Sequence, residues 1–462
     1  MPNHPLAAPA LTRTIAFGLL AILLFGLHLR LTVVLGTEIE APLRADAGQY
    51  FAYAHNLANH GVYSMDRSGI DSETAPSPDH FRNPGYPLLI LPFAAAPPSD
   101  TSLLNIALLQ AALSLAVVGL IFLIARMAMP PAAALGVAAL TALSPHLINA
   151  NVYILSESAA AFMIALFLFI FLRNGIRHDS TGSAGWLLSG ALLATATLVR
   201  PTMQWFLIPA AALIFTLPKE NRARTVAWFV AGFLLMMAPW WLRNLIQFGE
   251  LSNPALTIGT IHHGMYPDFM YAGRSETFGF PYRFDPRSAE ITRSLGTVLT
   301  EIARRLAEQP AEHLNWFLLG KPLMFWNWNN DAQGAGDVFI YPVIKTPFSS
   351  NLPLFLSHEA MYWLHWPLVA LGMLGSLLCW LPRAAGLLGA KAVWAFRVSG
   401  ALLLYFVILH ILAAPFPRYS IPILPILYLQ AIGTLFLGYR LRRPTQSISQ
   451  RIAMSSSNNK AT

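Results

Sequence analysis

The sequence is poor in cysteine and poor in charge. Its 462 residues include a single cysteine, Cys379, which lies in an apolar stretch. One cysteine excludes an intrachain disulfide and a thiolate metal cluster. Only 11% of the residues are charged, whereas 55% are hydrophobic and the mean hydropathy is +0.51. This composition excludes an ordinary soluble domain and indicates a protein with several membrane spans.

Acidic side chains are outnumbered by basic ones, and the net charge is +8. In a soluble chain this excess would suggest nucleic acid, but here many basic residues stand in short segments between apolar runs and orient the chain. We therefore expect no nucleic acid partner. The orienting cations fall on one predicted side and are Arg13, Arg126, Arg173, Arg177, Lys219, Arg222, Arg224, Arg383, Lys391, Arg397, Arg440, Arg442 and Arg443. That side is predicted to be the cytoplasm, with both termini there and the protein in a bacterial inner membrane.

Long apolar runs predict the fold class. The first run is long enough to span a bilayer and lacks a small-residue cleavage site, so we interpret it as a retained helix. The runs that predict spans are 14–36, 103–129, 132–143, 154–172, 186–198, 203–217, 226–242, 361–381, 398–413 and 421–437. They predict an all-α polytopic membrane domain with about ten transmembrane helices.

Two long polar segments, 37–101 and 244–360, lie on the outer face of the predicted topology. The membrane domain is predicted to cover 14–440, and the tail at 441–462 is predicted to be cytoplasmic and disordered. The sequence shows no internal repeat, which disfavours a transporter built from two related halves.

The stretch RADAGQYFAYAHNLANHGVYS, residues 44–64, lies in the first outer segment. Its small and apolar residues recur at helical spacing, at Phe51, Ala54, Leu57 and Ala58. With Gly61 at the expected end, the pattern predicts an amphipathic helix along the outer membrane surface. Asp46 stands three residues before Gln49, as in a loose capping box, and this position suits an N-cap as well as a carboxylate held for chemistry.

Motifs spread along the chain resemble a known family. GLHLRL ends the first span with Arg30, and RNPGYPLL follows the 44–64 stretch. The later motifs are SPHLINANVYILSESAAAF at 144–162, ATLVRPTMQWFLIP at 196–209, PWWLRNLIQFGEL at 239–251 and FPRYSIPILPILYLQAIG at 416–433. In order and spacing the set resembles the GT-C type of lipid-linked sugar transferases. It is most similar to the bacterial group related to protein mannosyltransferases and the lipid A aminoarabinose transferase.

This resemblance implies a sugar carried on a polyprenyl phosphate or pyrophosphate and a catalytic aspartate in the first outer loop, the position of Asp46. A carboxylate there can take the proton of an acceptor hydroxyl as the hydroxyl attacks the anomeric carbon, which inverts that carbon. The implied acceptor is a lipid, a glycan or a protein. Ala47 stands where the protein mannosyltransferases carry Glu, which speaks against a protein hydroxyl but not against the reaction class.

A departing lipid phosphate needs positive charge near the membrane surface. Arginines at predicted outer helix ends are candidates for binding the donor phosphate, and they are Arg82, Arg200, Arg243 and Arg418. Arginine forks suit phosphate, although a helix-end cation can also simply extend to the interface. Lys321 and Lys345 are weaker candidates.

Further polar residues in these motifs are candidates for binding substrate. They are Arg30, Tyr50, Tyr86, Glu157 and Tyr419. Glu157 also suits the first turn of a helix, and Arg30 could pair with Asp46 or Glu157.

A metal requirement stays open at this stage. His262, His263 and Asp268 could bind a divalent cation, although adjacent histidines rarely face the same way. The segment 321–345 is rich in Trp, Asn and Asp, residues that suit a sugar but also crowd membrane interfaces. Residues 294–317 predict a helical pair or one long amphipathic helix at the surface.

Three functions remain from the sequence. The first is a membrane glycosyltransferase that moves a hexose or pentose from a polyprenyl-phosphate donor to an acceptor on the outer face. The second is a transporter or flippase of lipid-linked sugars, which should place charges at mid-membrane. The third is a membrane scaffold without chemistry. The clustering of polar residues at one face favours the enzyme.

Overall fold

A computed structural model describes residues 12–176, 182–217, 221–328, 330–331, 334–335 and 341–442. Of the tail predicted at 441–462, the residues after Arg442 lie outside the described part of the chain. The helices up to the middle of the chain are α1 (Arg13–Gly36), α2 (Ala45–His60), α3 (Ser68–Asp71), α4 (Gly85–Ala94), α5 (Asp100–Ala128), α6 (Pro131–Leu143), α7 (Pro145–Asn149), α8 (Glu157–Ile176), α9 (Ser183–Val199), α10 (Leu207–Phe215) and α11 (Arg222–Phe248).

The helices of the remaining chain are α12 (Ala255–Gly264), α13 (Ser288–Ile291), α14 (Leu295–Glu308), α15 (Pro310–Asn315), α16 (Lys321–Phe325), α17 (Leu352–Leu378), α18 (Pro382–Leu388), α19 (Ala390–Leu412) and α20 (Leu424–Arg442). The strands are short and are β1 (Glu38–Ile39), β2 (Asn330–Asp331), β3 (Gly334–Ala335) and β4 (Val343–Lys345). Strand β1 pairs with β4 and β2 with β3, both antiparallel.

Within the described residues, seven helices are long and apolar enough to cross a membrane. They are α1, α5, α8, α11, α17, α19 and the helical run Pro417–Arg442 that contains α20. Exposed apolar side chains such as Phe17, Leu20 and Leu24 of α1 are what a lipid-facing helix requires. The chain is thus an all-α, multi-pass membrane protein, as predicted.

The other three predicted spans are also helical but short. They correspond to α6, α9 and the run Pro201–Phe215 that contains α10. Proline explains two of the ends: Pro145 follows α6 and starts α7, and Pro201 follows α9. Proline disfavours helical backbone in the residue before it, so each helix ends there.

Two glycines let α9 and α11 pack backbone to backbone. A Cβ atom on Gly190 would lie 1.8 Å from the Phe229 carbonyl oxygen, and one on Gly232 would lie 1.9 Å from the Leu187 carbonyl oxygen. Small residues of this kind allow close helix contact in membranes, where apolar burial alone gives little drive for association.

Helix α2 forms where it was predicted, but much of its apolar side is covered by protein rather than left for lipid. Phe51, Ala52, Tyr53 and Ala54 are fully buried, and the helix packs against α4. Of the apolar positions that suggested a lipid-facing side, Phe51 and Ala54 face other protein segments, whereas Ala58 is exposed. A helical pattern of apolar residues identifies the buried side but not what covers it.

The second outer segment contains the predicted helical pair. Helix α14 begins at a capping box formed by Ser294 and Thr297, and Pro310 starts α15 after a break. The carboxylate of Glu301 in α14 is buried and pairs with Arg287, Arg304 and Arg305. The pair with Arg287 fixes α14 to the segment that precedes it.

Candidate active site

The candidate site is built around Asp46 in the first turn of α2. The N-cap position belongs to Arg44, so the prediction that Asp46 caps the helix is wrong. Its carboxylate instead accepts from Arg82 Nη2 at 2.7 Å on one oxygen and from Arg418 Nη2 at 2.9 Å on the other. Charged donors form stronger hydrogen bonds than a backbone N–H does, so the Asp46 carboxylate gains more from two guanidiniums than from a helix cap.

These two arginines set the charge state of Asp46. Burial opposes ionisation of the carboxyl, but the guanidiniums of Arg418 and Arg82 outweigh it and hold the pKa of Asp46 below its ordinary value. The side chain keeps 27% of its surface exposed, so a ligand can reach it. Asp46 is therefore an ionised, accessible carboxylate with both oxygens engaged.

Arg82 is oriented by α2 on one side and by the following turn on the other. Its Nε donates to Gln49 Oε1 at 2.7 Å, and its guanidinium lies 4.8 Å from the ring centre of Tyr50. Gly85 in the Pro-Gly turn lies against the end of α9, where a Cβ atom would come within 2.5 Å of Val199 N. The glycine thus lets the loop of Arg82 approach the end of α9.

Arg200 directly follows α9 and forms a second buried ion pair. Its Nη1 lies 3.1 Å from Glu157 Oε1, at the start of α8, and both side chains are more than nine-tenths buried. The two atoms are not aligned for a hydrogen bond, and Nη1 has no other hydrogen-bond acceptor among the described residues. Buried N–H donors in proteins are normally hydrogen-bonded, so Nη1 is suited to bind an additional anionic or polar group.

Tyr419 connects the two ion-pair groups. Its ring centre lies 4.8 Å from the Arg200 guanidinium and 5.3 Å from that of Arg418. Three predicted phosphate-binding arginines, Arg82, Arg200 and Arg418, therefore converge with the carboxylates of Asp46 and Glu157. Three cations and two anions leave one net positive charge.

Tyr50 and Tyr86 lie beside this group in different roles. Their rings pack edge to face with centres 4.9 Å apart. Tyr50 borders Arg82, whereas the Tyr86 hydroxyl is buried and donates to Gln110 Oε1 at 2.9 Å. Tyr86 supports the wall of the site.

The structure places Arg30 away from the group, and its expected pairing with Asp46 or Glu157 is wrong. Arg30 is fully buried and donates to Ser114 Oγ and to the carbonyls of Gly26 and Ala142. These bonds join α1, α5 and α6. The buried cation is satisfied by helix carbonyls, so it acts as a connector within the bundle.

Arg243 also lies elsewhere. Its Nη1 donates to the carbonyl of Asp79 at 2.8 Å, and its guanidinium stacks on Tyr63, Trp240 and Phe248. It ties α11 to the loop before Arg82. Arg243 lies near the end of α11, but its donors serve the loop backbone.

The two candidate lysines do not join the group. Lys321 is buried and donates to the carbonyls of Ile411 and Ala413, at the end of α19. Lys345 lies in β4 and is exposed. Lys321 therefore completes the last turn of a helix, which is an ordinary use of a cation at a C-terminus.

The histidines considered as metal ligands have other partners. His262 Nε2 lies 3.0 Å from the Tyr266 hydroxyl, whereas His263 Nε2 lies 2.8 Å from the carbonyl of Gly279. In the described part of the chain, no three His, Cys, Asp or Glu side chains are grouped to hold a metal ion.

The aromatic segment 321–345 falls partly outside the described residues. Of the described members, Trp326 and Trp328 are buried, and their carbonyls lie against His365 and His146. These tryptophans pack inside the bundle rather than against the arginines.

Sequence reasoning missed Tyr341. Its buried hydroxyl accepts from Ala47 N at 3.0 Å and donates to the carbonyl of Arg44 at 2.8 Å. The contact with Ala47 joins residues 294 positions apart, and no local pattern marks it.

Comparisons with known proteins concern the fold. No protein-family model and no curated protein matches the sequence. The structure is similar to the archaeal oligosaccharyltransferase AglB from Archaeoglobus fulgidus, solved with an inhibitory peptide and a dolichol-phosphate. The TM-score is 0.50 at 14% identity, over 97% of this chain and 54% of that one. This chain thus spans about half the length of that enzyme.

A second similar structure is ArnT from Cupriavidus metallidurans, bound to undecaprenyl phosphate. The TM-score is 0.40 at 15% identity, over 93% of this chain and 78% of that one. The likeness to the oligosaccharyltransferase covers nearly all of this chain, so the two share a fold over that length.

Proposed function

We propose that this protein is a membrane glycosyltransferase. It transfers a sugar from a polyprenyl-phosphate donor to a lipid, glycan or protein acceptor, with inversion at the anomeric carbon. The observation that carries the proposal is the Asp46 carboxylate held between Arg82 and Arg418. Nearby, the buried Nη1 of Arg200 pairs with Glu157 but has no hydrogen-bond partner among the described residues. A base beside clustered guanidiniums is what displacement of a phosphate by a hydroxyl requires.

The reaction needs one base and a stabilised leaving group. The acceptor oxygen bonds to the anomeric carbon, and the bond from that carbon to the phosphate oxygen breaks with its electron pair staying on the phosphate. The acceptor proton passes to the Asp46 carboxylate. Arginines neutralise the charge of the departing phosphate, so no second acid has to protonate it.

The net charge of the site suits a monophosphate carrier. Arg82, Arg200 and Arg418 exceed Asp46 and Glu157 by one positive charge. A sugar on a polyprenyl monophosphate is a phosphodiester with one negative charge, which would neutralise the group. The oligosaccharyltransferase of the same fold was solved with a dolichol-phosphate, and we extend that class of carrier to this chain.

The residues present do not fit a preformed divalent-cation site at Asp46. Both of its oxygens accept from arginine, and Glu157 pairs with Arg200. The arginines can supply the positive charge at the phosphate, so no step of the proposed reaction passes through a metal ion.

The proposed location of the reaction is the outer face of a bacterial inner membrane. The site residues stand at helix ends or in the first outer segment: Glu157 begins α8, Arg200 follows α9, and Arg418 lies in the turn before α20. Charges at one end of the bundle favour a fixed active site over a transport path.

The test compares wild type with Asp46→Asn. Purified proteins receive radiolabelled polyprenyl-phosphate sugars, both hexose and pentose, with membrane extract as the acceptor source. We expect Asp46→Asn to lose at least about 100-fold in transfer rate, because an amide cannot take the proton, while donor binding persists. Asp71→Asn makes the same chemical change at an exposed carboxylate of the same segment and serves as the matched control.

Undiminished transfer by Asp46→Asn would remove the proposed base. No transfer by wild type with any donor, together with donor movement across vesicles containing the protein, would favour the transporter instead.

A further inference from the structure

Tyr341 contacts the backbone on both sides of Asp46. Its hydroxyl accepts from the N–H of Ala47 and donates to the carbonyl of Arg44. Only 2% of the tyrosine surface is exposed. One hydroxyl group therefore bridges the two residues that flank Ala45 and Asp46.

The bridged backbone is strained. Ala45 has a φ of 46°, in the left-handed region that residues with a Cβ atom rarely adopt. Such a conformation persists only where surrounding contacts hold it. The two Tyr341 hydrogen bonds are contacts of this kind, since they fix the peptide group before Ala45 and the peptide group between Asp46 and Ala47.

The chain around Tyr341 is itself anchored to the approach to α2. Pro342 accepts a backbone hydrogen bond from Glu40 N at 3.0 Å, and β4 pairs with β1. The Tyr341 ring lies 5.8 Å from that of Tyr153, in the same buried cluster as Ala47. The second outer segment thus holds the start of the helix that carries Asp46.

We propose that Tyr341 is a positioning residue for Asp46: its hydroxyl holds the strained Ala45 backbone so that the carboxylate meets Arg82, Arg418 and the acceptor. The proposal rests on the proposed function. A tyrosine that only satisfied two buried backbone groups would affect stability and leave turnover of the folded protein unchanged.

The test removes the hydroxyl and keeps the ring. We expect Tyr341→Phe to lower kcat about tenfold or more, because small misplacement of a reacting group is costly, with KM for the donor within about twofold of wild type. The matched control is Tyr428→Phe, which removes a buried hydroxyl bonded to Ser144 Oγ, outside the group around Asp46.

A second substitution separates positioning from folding. Glycine adopts a φ of 46° without strain, so Ala45→Gly reduces the need for the bridge. We expect the double variant Ala45→Gly with Tyr341→Phe to recover kcat to within about threefold of Ala45→Gly alone. Hydrogen exchange at the Ala47 amide should be faster in Tyr341→Phe than in wild type.

Equal kcat in Tyr341→Phe and Tyr428→Phe would overturn the positioning role while leaving the proposed function intact. An equally low kcat in the double variant would also overturn it, since relief of strain would then have no effect. If wild type transfers no sugar, the proposed function fails, and the positioning role for catalysis fails with it, whatever the amide exchange shows.

Discussion

At the residue scale, Asp46 is ionised but is a weak base in the unliganded protein. Arg82 and Arg418 occupy its two oxygens and lower its pKa. In the proposed reaction a donor phosphate competes for the same guanidiniums. As the arginines turn to the phosphate, the carboxylate loses its partners and its proton affinity rises. Donor binding would thus activate the base.

The first prediction concerns pH. A pKa held below its ordinary value keeps Asp46 ionised to lower pH, so the acidic limb of kcat/KM should lie below the ordinary aspartate range. Arg82→Gln removes one guanidinium and should move this limb to higher pH. The measurement is a pH profile of kcat/KM. Arg67→Gln, at an exposed arginine of the same segment, is the control and should leave the limb in place.

The second prediction concerns donor affinity. Arg418→Ala should weaken binding of a polyprenyl-phosphate sugar about tenfold or more, because charge-assisted bonds to a phosphate are lost. The measurement is equilibrium binding of radiolabelled donor to protein in detergent. Arg67→Ala should bind as wild type does. Unchanged affinity in Arg418→Ala would assign this arginine to Asp46 alone.

At the element scale, close contact between the α4 turn and the end of α9 brings the Asp46 and Glu157 ion-pair groups together. Asn83 Nδ2 donates to the Thr197 carbonyl at 2.9 Å, and Gly85 lies against Leu198 and Val199. Both Arg82 and Arg200 are adjacent to this junction. This close contact requires glycine at position 85, because a Cβ atom there would overlap the backbone of Leu198 and Val199.

The third prediction tests the junction. Gly85→Ala would place a Cβ atom 2.5 Å from backbone atoms that cannot move aside alone. We expect a loss of about 1–3 kcal/mol in stability, as for other overpacked sites, with weaker donor binding. The measurement is the thermal unfolding midpoint in detergent, followed by the binding assay.

Gly119→Ala is the control for this prediction, because a Cβ atom there meets nothing within 4 Å. In a helix this change should be neutral or stabilising by up to about 1 kcal/mol. A midpoint for Gly85→Ala no lower than that of the control would contradict the close contact.

Element prediction succeeded where the signal was local. Each of the ten predicted apolar runs falls on a helical segment of the described chain, since length and hydropathy are properties of consecutive residues. The runs at 132–143 and 186–198 are themselves short, and the helices that they predict, α6 and α9, are short as well. The helix α2 was also predicted correctly. Its apolar side was expected to meet lipid, but Phe51 and Ala54 are buried by protein segments distant in sequence.

At the scale of the whole molecule, the predicted orientation puts the site and the orienting cations on opposite faces of the membrane. Cys379 is the single cysteine of the sequence. A Cys379→Ala background therefore has no native thiol, and a thiol reagent labels only the cysteines introduced into it. Ser72 lies in the first outer segment and Gly386 in α18, and both are exposed. They serve as reporters of the two faces.

The fourth prediction is that a membrane-impermeant thiol reagent labels Ser72→Cys in cells whose inner membrane is intact. Gly386→Cys should be labelled only after that membrane is permeabilised, because the positive-inside rule places α18 in the cytoplasm. The measurement is the labelled fraction of each purified variant. The reverse pattern would invert the topology and move the site to the cytoplasmic face.

The sequence by itself determined the membrane class, the helical segments and a short set of candidate charges, because hydropathy, length and residue type are local properties. It could not choose among the arginines. Arg30 and Arg243 look like Arg82 and Arg418 in sequence, yet they serve helix and loop carbonyls. Asp46 meets Arg82 across 36 positions and Arg418 across 372. Only tertiary packing decides such pairings, because it alone brings distant helix ends together.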